Sequence, residues 1–346
     1  MIWYPEVVVP GAAFIAAWWL TGRFLRFALA RQILDVPNAR SSHEIAAPRG
    51  GGIAIAASVI AALLVLLAIR AVPARFAVGL LGGGAIVATI GMIDDARHVA
   101  ARWRLLAHIV SAAWLLYWIG GLPPGFSGGQ DLGTAGYLVG VLYIVWILNL
   151  TNFMDGIDGI AAIESVTVCV GGAVIYILNG FRGEVLYTPL VVATASLGFL
   201  KWNWPPARIF MGDVGSGFLG LALAACSLAA GLTESVLFWS WIILMGVFVV
   251  DATVTLIRRL IGRQKFYQAH RSHAYQHAAQ RWGGHRPVTL TVTAINVFWL
   301  FPLALVVAQS RVSPLVGVAI AYAPLVVAAL WLKAGEVALT PAPRKG

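Results

Sequence analysis

Asn149, Asn152, Asp155 and Asp158 recur every third residue in the run Asn149-Leu-Thr-Asn152-Phe-Met-Asp155-Gly-Ile-Asp158-Gly, at the end of an apolar stretch. Two amides and two carboxylates supply hard oxygen donors, suited to Mg²⁺ and to a phosphate held through it. Only 11% of the 346 residues are charged. Carboxylates kept at the edge of an apolar span are costly and mark a site. In an unbroken helix each three-residue step turns the side chain by about 60°, so Asn149 and Asp158 would face opposite ways. Gly156 and Gly159 weaken the helix there, and a broken turn would gather the four groups. A polar helix terminus with Asx capping is the plain alternative.

Three further clusters carry chemistry. Phe210-Met-Gly-Asp213-Val-Gly-Ser216-Gly places a carboxylate among small residues where an apolar run begins. That suits a phosphate-receptive helix start, or simply an N-cap. Asp94-Asp95-Ala-Arg97-His98 follows the third apolar run and leads to Arg102, Trp103 and Arg104. Adjacent acids on a helix point about 100° apart, so one can face a site while the other binds a neighbour. His98, four residues from Asp94, would share its face; a charged cap is the alternative. Arg40-Ser-Ser-His43 and Pro48-Arg49-Gly-Gly-Gly52 add cations beside a glycine-rich turn, which suits anion binding.

His270, His273 and His277 would share a helical face and raise the question of zinc. No cysteine stands near to complete a site, and basic-loop histidines facing a diphosphate are the better reading. Asp251, seven residues before Arg258, is left between structural pairing and a functional role. Cys169 and Cys226, both in apolar runs, read as small buried hydrophobes.

These groups must be positioned by helices. The chain is 60% hydrophobic, with a mean hydropathy of +0.84. Apolar runs near 5–22, 52–69, 76–93, 105–120, 134–150, 160–178, 184–200, 214–231, 235–257, 289–309 and 312–332 predict an all-α polytopic membrane protein of about eleven spans. All but Arg70, Arg75, Arg182 and Arg311 of the 24 Lys and Arg fall in alternate segments. The positive-inside rule then puts the amino terminus outside and the carboxyl terminus in the cytoplasm. Loops 23–51, 94–104, 150–159, 201–213 and 258–288 become cytoplasmic, and every unusual polar cluster lies on that side. Of the 14 acids, Glu6, Asp131, Glu184 and Glu234 are isolated on the other side. No basic residue precedes the first run, which reads as a membrane helix rather than a cleaved signal. No repeat or soluble domain is evident, so residues 1–346 read as one integral membrane domain. The net charge of +10 is dispersed among the loops, which argues against nucleic acid and for anionic headgroups and substrates.

Arg40-Ser-Ser-His43 with Pro48 to Gly52, Asp94-Asp95, the Asn149–Asp158 ladder, Phe210 to Ser216 and His270-Arg271-Ser-His273-Ala-Tyr-Gln276 occur in that order. Together they resemble the polyprenyl-phosphate N-acetylhexosamine-1-phosphate transferases, the glycosyltransferase superfamily that includes MraY and WecA. The look is nearest to the WbpL-type branch that begins O-antigen synthesis. His98 stands where such chains often have Lys or Asp, and His-Arg-Ser-His replaces a run of three histidines, which points away from peptidoglycan synthesis.

The resemblance implies transfer of a sugar-1-phosphate from a UDP-sugar to undecaprenyl phosphate in a bacterial inner membrane, with release of UMP. It implies Mg²⁺, with Mn²⁺ as an alternative, held by Asn152 and Asp213. Asp94 would bind or deprotonate the lipid phosphate with support from Asp95. Asp158 would lie near the uridine and Phe210 would stack on uracil. Asn149, His43, Arg49, His270, Arg271 and His273 would contact substrate. Asp155 or Asp94 would be the nucleophile if an aspartyl-phosphate formed. A homodimer fits the same precedent. A transporter is the competing class, but it would place polar groups at the bilayer midplane in repeated halves. A CDP-alcohol phosphotransferase would need a D-G-x-x-A-R start that is absent here.

Overall fold

The computed structural model describes residues 4–32, 46–124, 133–181, 184–264 and 270–336. Every apolar run of the sequence becomes helix. In chain order these are α1 (Pro5–Ala30), α2 (Ile53–Ala68), α3 (Ala74–Ala96), α4 (Ala101–Ile119), α5 (Gly133–Met154), α6 (Ile160–Leu178), α7 (Glu184–Asn203) and α8 (Gly212–Thr233). They continue with α9 (Ser235–Leu244), α10 (Gly246–Ile261), α11 (Ala274–Arg281), α12 (His285–Ile295), a π-helical turn (Asn296–Leu300), α13 (Phe301–Ala308) and α14 (Pro314–Trp331). The chain is an all-α, multi-pass membrane protein. Among the described residues, seven helical stretches are long and apolar enough to cross a bilayer, or eight with α9 and α10 taken as one span. The count of eleven and the orientation rest on the sequence.

The run 235–257 is not one straight span. It breaks at Met245, and α10 turns 70° from α9. Nor is 258–288 a plain loop, because α11 and the start of α12 lie within it.

The core is organised around α8, buried along nearly its whole length. Its first half is rich in glycine, so neighbouring backbones approach closely in the manner of membrane helix pairs. A Cβ on Gly215 would stand 2.6 Å from the Cα of Gly52, and one on Gly220 would stand 2.7 Å from the Cα of Leu148. Thus α2 and α5 both press against α8, and α3 joins them where Gly91 meets the Asp213 carbonyl. The outer helices leave large apolar side chains such as Val7, Leu142, Phe298 and Leu315 exposed, as lipid-facing surfaces do. Cys169 and Cys226 are buried free thiols within spans.

One buried acid escaped notice in the sequence. Glu164, on α6, accepts from Asn296 Nδ2 at 2.6 Å, and that amide also donates to Thr167 Oγ1 at 2.7 Å. The π-helical turn begins at Asn296.

Candidate active site

The ladder is broken as its glycines require. Helix α5 ends at Met154, and α6 begins at Ile160 after Gly159, whose φ of +76° is a conformation that L side chains rarely adopt. Asn149 and Asn152 therefore stand on the last turns of α5, while Asp155 and Asp158 occupy the connection. Asn152 Nδ2 donates to Ser216 Oγ on α8 at 3.0 Å. Asp158 turns elsewhere: its Oδ2 accepts the Ala207 amide at 3.0 Å and lies 3.1 Å from His285 Nδ1. Its own carbonyl accepts from Thr289 at 2.9 Å. Asp158 thereby ties the break to the 204–211 connection and to α12. Asp155 is half-buried. Burial lifts its carboxyl well above the ordinary range; Arg49 opposes this, and Asp213, Asp95 and Asp158 add to it.

Asp94 and Asp95 occupy the last turn of α3. They do not complement the helix dipole there, because carboxylates at a helix C-terminus oppose it. Other groups hold them. Asp95 Oδ1 accepts the amide of Asp213 at 3.0 Å and its Oδ2 that of Val214 at 3.3 Å, so Asp95 caps the start of α8 from a neighbouring helix. Gly212, at φ +78°, makes room for it, since a Cβ there would fall 2.5 Å from Asp95 Oδ2. Asp94 Oδ1 accepts the Val99 amide at 2.6 Å. His98, in contrast, is solvent-exposed, with its Nδ1 4.0 Å from Asp94.

Two guanidiniums link the carboxylates. Arg104 NH1 lies 2.5 Å from Asp94 Oδ2 and 2.8 Å from Asp213 Oδ2. Arg49 reaches Asp95 Oδ1 at 3.0 Å through Nε and Asp213 Oδ1 at 2.5 Å through NH2. Arg49 is placed by backbone pairing between its segment and the Phe210 segment. Phe210 N donates to Pro48 O at 2.8 Å, Gly51 N to Phe210 O at 2.9 Å and Gly52 N to Met211 O at 2.8 Å. Phe210 itself is half-buried. Three carboxylates thus share two guanidiniums at the start of α8.

The histidine motif is not one helical face. Helix α11 starts only at Ala274, His273 is its N-cap and His270 precedes it. The two rings stack at 5.0 Å, while His277 Nε2 turns to the carbonyl of Glu336 at 3.3 Å. Burial, then His273 and Arg259, push the His270 imidazole down to about 3. The choice left open for Asp251 resolves into structure: it accepts the amides of Ala274 and Tyr275, each at 2.9 Å, and lies 3.2 Å from His273 Nδ1. Tyr275 then donates to the carbonyl of Phe153 at 2.9 Å, which docks α11 against the end of α5. Arg271 Nε is buried and has no hydrogen-bond partner among the described residues. His43 lies outside the described residues.

Sequence reasoning passed over Arg104 as the end of a basic stretch and did not single out His108, its neighbour one turn on. An i, i+4 Arg-His pair on a mostly apolar helix was the available signal. Among the described residues, no three His, Cys, Asp or Glu side chains form a ready metal-binding group.

Residues 77–231 match glycosyl transferase family 4. The chain is 32% identical over 295 residues to a probable undecaprenyl-phosphate N-acetylglucosaminyl 1-phosphate transferase of Bacillus subtilis, covering 82% of this chain and 80% of that protein. The chain belongs to the polyprenyl-phosphate sugar-1-phosphate transferase family. It is also 30% identical over 316 residues to the decaprenyl-phosphate N-acetylglucosaminephosphotransferase of Mycobacterium leprae, covering 81% of this chain and 78% of that one. A phospho-N-acetylmuramoyl-pentapeptide-transferase of Streptococcus thermophilus is 30% identical over 189 residues, half of this chain. The protein is thus a membrane phosphotransferase of this family, and its matched region runs from α3 to α8, the helices that carry Asp94, Asp95, Asn152, Asp155, Asp158 and Asp213.

Proposed function

We propose that this protein transfers an N-acetylhexosamine-1-phosphate, 6-deoxy if the WbpL-type resemblance extends to the sugar, from a UDP-sugar to undecaprenyl phosphate in a bacterial inner membrane. The product would begin an O-antigen or another envelope polysaccharide. The observation that carries the reading is the convergence of Asp94, Asp95 and Asp213 with Arg49 and Arg104 at the start of α8, beside Asn152. The names of the Bacillus and Mycobacterium relatives support the substrate classes.

An oxygen of the acceptor phosphate bonds to the sugar-bearing phosphorus. The bond from that phosphorus to the bridging oxygen breaks, and UMP leaves with the bridging oxygen. Asp94, within reach of Arg104, takes any proton the acceptor phosphate carries. Arg49 and Arg104 turn from carboxylates to phosphoryl oxygens, where a guanidinium binds in bidentate fashion. Phe210 would offer a ring to the uracil, and His270, Arg271 and His273, on the segment that Tyr275 docks against the end of α5, would contact the sugar or diphosphate.

The donor set fits Mg²⁺. Asn152 uses its amide nitrogen on Ser216, which leaves its carbonyl oxygen for a cation, and Asp213 adds a carboxylate. Too few protein ligands for a complete cage suits an ion that keeps water and substrate phosphate in its shell. When bound, the ion would neutralise diphosphate charge.

A panel of UDP-N-acetylhexosamines assayed with undecaprenyl phosphate tests the reading. UMP release coupled to chloroform-extractable sugar label supports it. Label that only moves between compartments overturns it.

A further inference from the structure

A second polar tier lies one helical turn inside the ionic cluster. His108 follows Arg104 by four residues on α4, and Asn149 precedes Asn152 by three on α5. Each therefore shares its partner's face, about 5–6 Å further along the helix and away from the loops that carry the cluster. The two side chains stand close to each other across α4 and α5, with Arg104 and Asp213 as the nearby charges. Asn149 Nδ2 is already spent on the carbonyl of Val145 at 2.7 Å. His108 Nδ1 is buried and has no hydrogen-bond partner among the described residues. Such an orphan in a membrane protein is costly and needs a reason.

The surroundings supply one. Leu105, Leu106 and Ile109 on α4 and Leu142 on α5 are exposed, so this tier borders surface that faces hydrocarbon. A soluble nucleotide-sugar has no cause to reach a polar pair at that border. A phosphate on a hydrocarbon chain does, because its tail stays in lipid while its head moves toward Arg104.

We propose that His108, seated against Asn149, is a binding residue for the phosphate head of the lipid acceptor, on the bilayer side of the Asp94–Arg104–Asp213 cluster. The assignment rests on the transferase reading above and adds a residue selective for one of its two substrates.

Steady-state kinetics of the full chain in detergent test it, with UDP-N-acetylglucosamine as donor and undecaprenyl phosphate as acceptor. In His108→Leu the acceptor KM rises about tenfold, while the donor KM stays within about twofold, because the nucleotide-sugar does not reach this tier. His108→Gln, which keeps a hydrogen-bonding group, recovers most of the acceptor KM. A shift in Tm on adding the donor, retained in His108→Leu, shows that the fold and donor pocket persist. An unchanged acceptor KM in His108→Leu, an equal rise in both KM values, or loss of the donor-induced shift overturns the proposal. If His108→Leu and His108→Met both fail to fold, the residue is structural and the proposal falls. If the wild-type protein releases no UMP with any donor, the transferase reading fails first and takes this role with it.

Discussion

Asp95 accepts the backbone amide of Asp213 at 3.0 Å, so a carboxylate at the end of α3 fixes where α8 starts. The second acid of the pair is therefore a positioning group as well as a charge. It fixes the Asp213 carboxylate to the same point that Arg49 reaches. Asp95→Ala should lower stability by about 1–2 kcal/mol through loss of the cap, and take one of its carboxylate partners from Arg49. Asp95→Asn, which can still accept one amide, should lose less. Thermal unfolding in detergent, read beside UMP release, checks both. Equal Tm values for Asp95→Ala and wild type would contradict the capping role.

Asp213→Asn and Asn152→Ala should each reduce Mg²⁺-dependent UMP release by about 10²-fold or more, the loss typical of one preorganised electrostatic group. Expression should stay intact. Near-normal turnover in both would break the proposed metal assignment. In Asp213→Asn the two guanidiniums also lose their shared anion, so donor KM should rise with the fall in kcat.

The site's outline was readable in sequence where local rules decide it. The D-G-x-D-G spacing forecast a helix that breaks, and α5 does end at Met154 with Gly159 in the left-handed region. Distance in sequence hid the rest. Nothing local indicates that Asp251 would cap a helix more than twenty residues downstream, or that the histidine motif sits before α11 and not along it. Arg104 and His108 acquire their places only when α4 packs beside α5 and α8. Glu164 was lost for the opposite reason, since one acid in an apolar run barely alters its hydropathy.

Asp251→Leu should be among the most disruptive changes outside the ionic cluster, at about 3 kcal/mol or more, because it strands two amides and His273 in a buried place. The damage should be local first. Hydrogen exchange at residues 274–281 should quicken before global unfolding, and unchanged protection there would argue against the cap.

Gly156 lies beneath the hydroxyl of Tyr275, where an added methyl has no room. Gly156→Ala should destabilise by about 1–3 kcal/mol through overpacking. Tyr275→Phe should cost about 1 kcal/mol for the hydrogen bond to Phe153. Because the phenylalanine removes the clashing atom, the double variant should be more stable than the sum of the single losses predicts, by about 0.5 kcal/mol or more. A double-mutant cycle on Tm-derived stabilities decides this, and strict additivity would refute the contact.

His270 gives stability a pH signature. In the unfolded chain its imidazole protonates near the usual 6.5, whereas in the folded protein it does so only near 3. Between those values the unfolded state binds the extra proton, so stability rises with pH across that window and levels off above it. Wild type should therefore lose more Tm than His270→Gln between pH 6.5 and pH 4. Parallel curves would show that the ring is not desolvated.

Because α8 is sheathed by its neighbours, with glycine-tight seams to α2 and α5, no greasy compound can slide along it to Asp213. Small-molecule blockers of this protein would have to come from the loop-facing mouth, or wedge beside α4 at the lipid border. The second route calls for amphiphiles with a short polar head in place of nucleotide mimics.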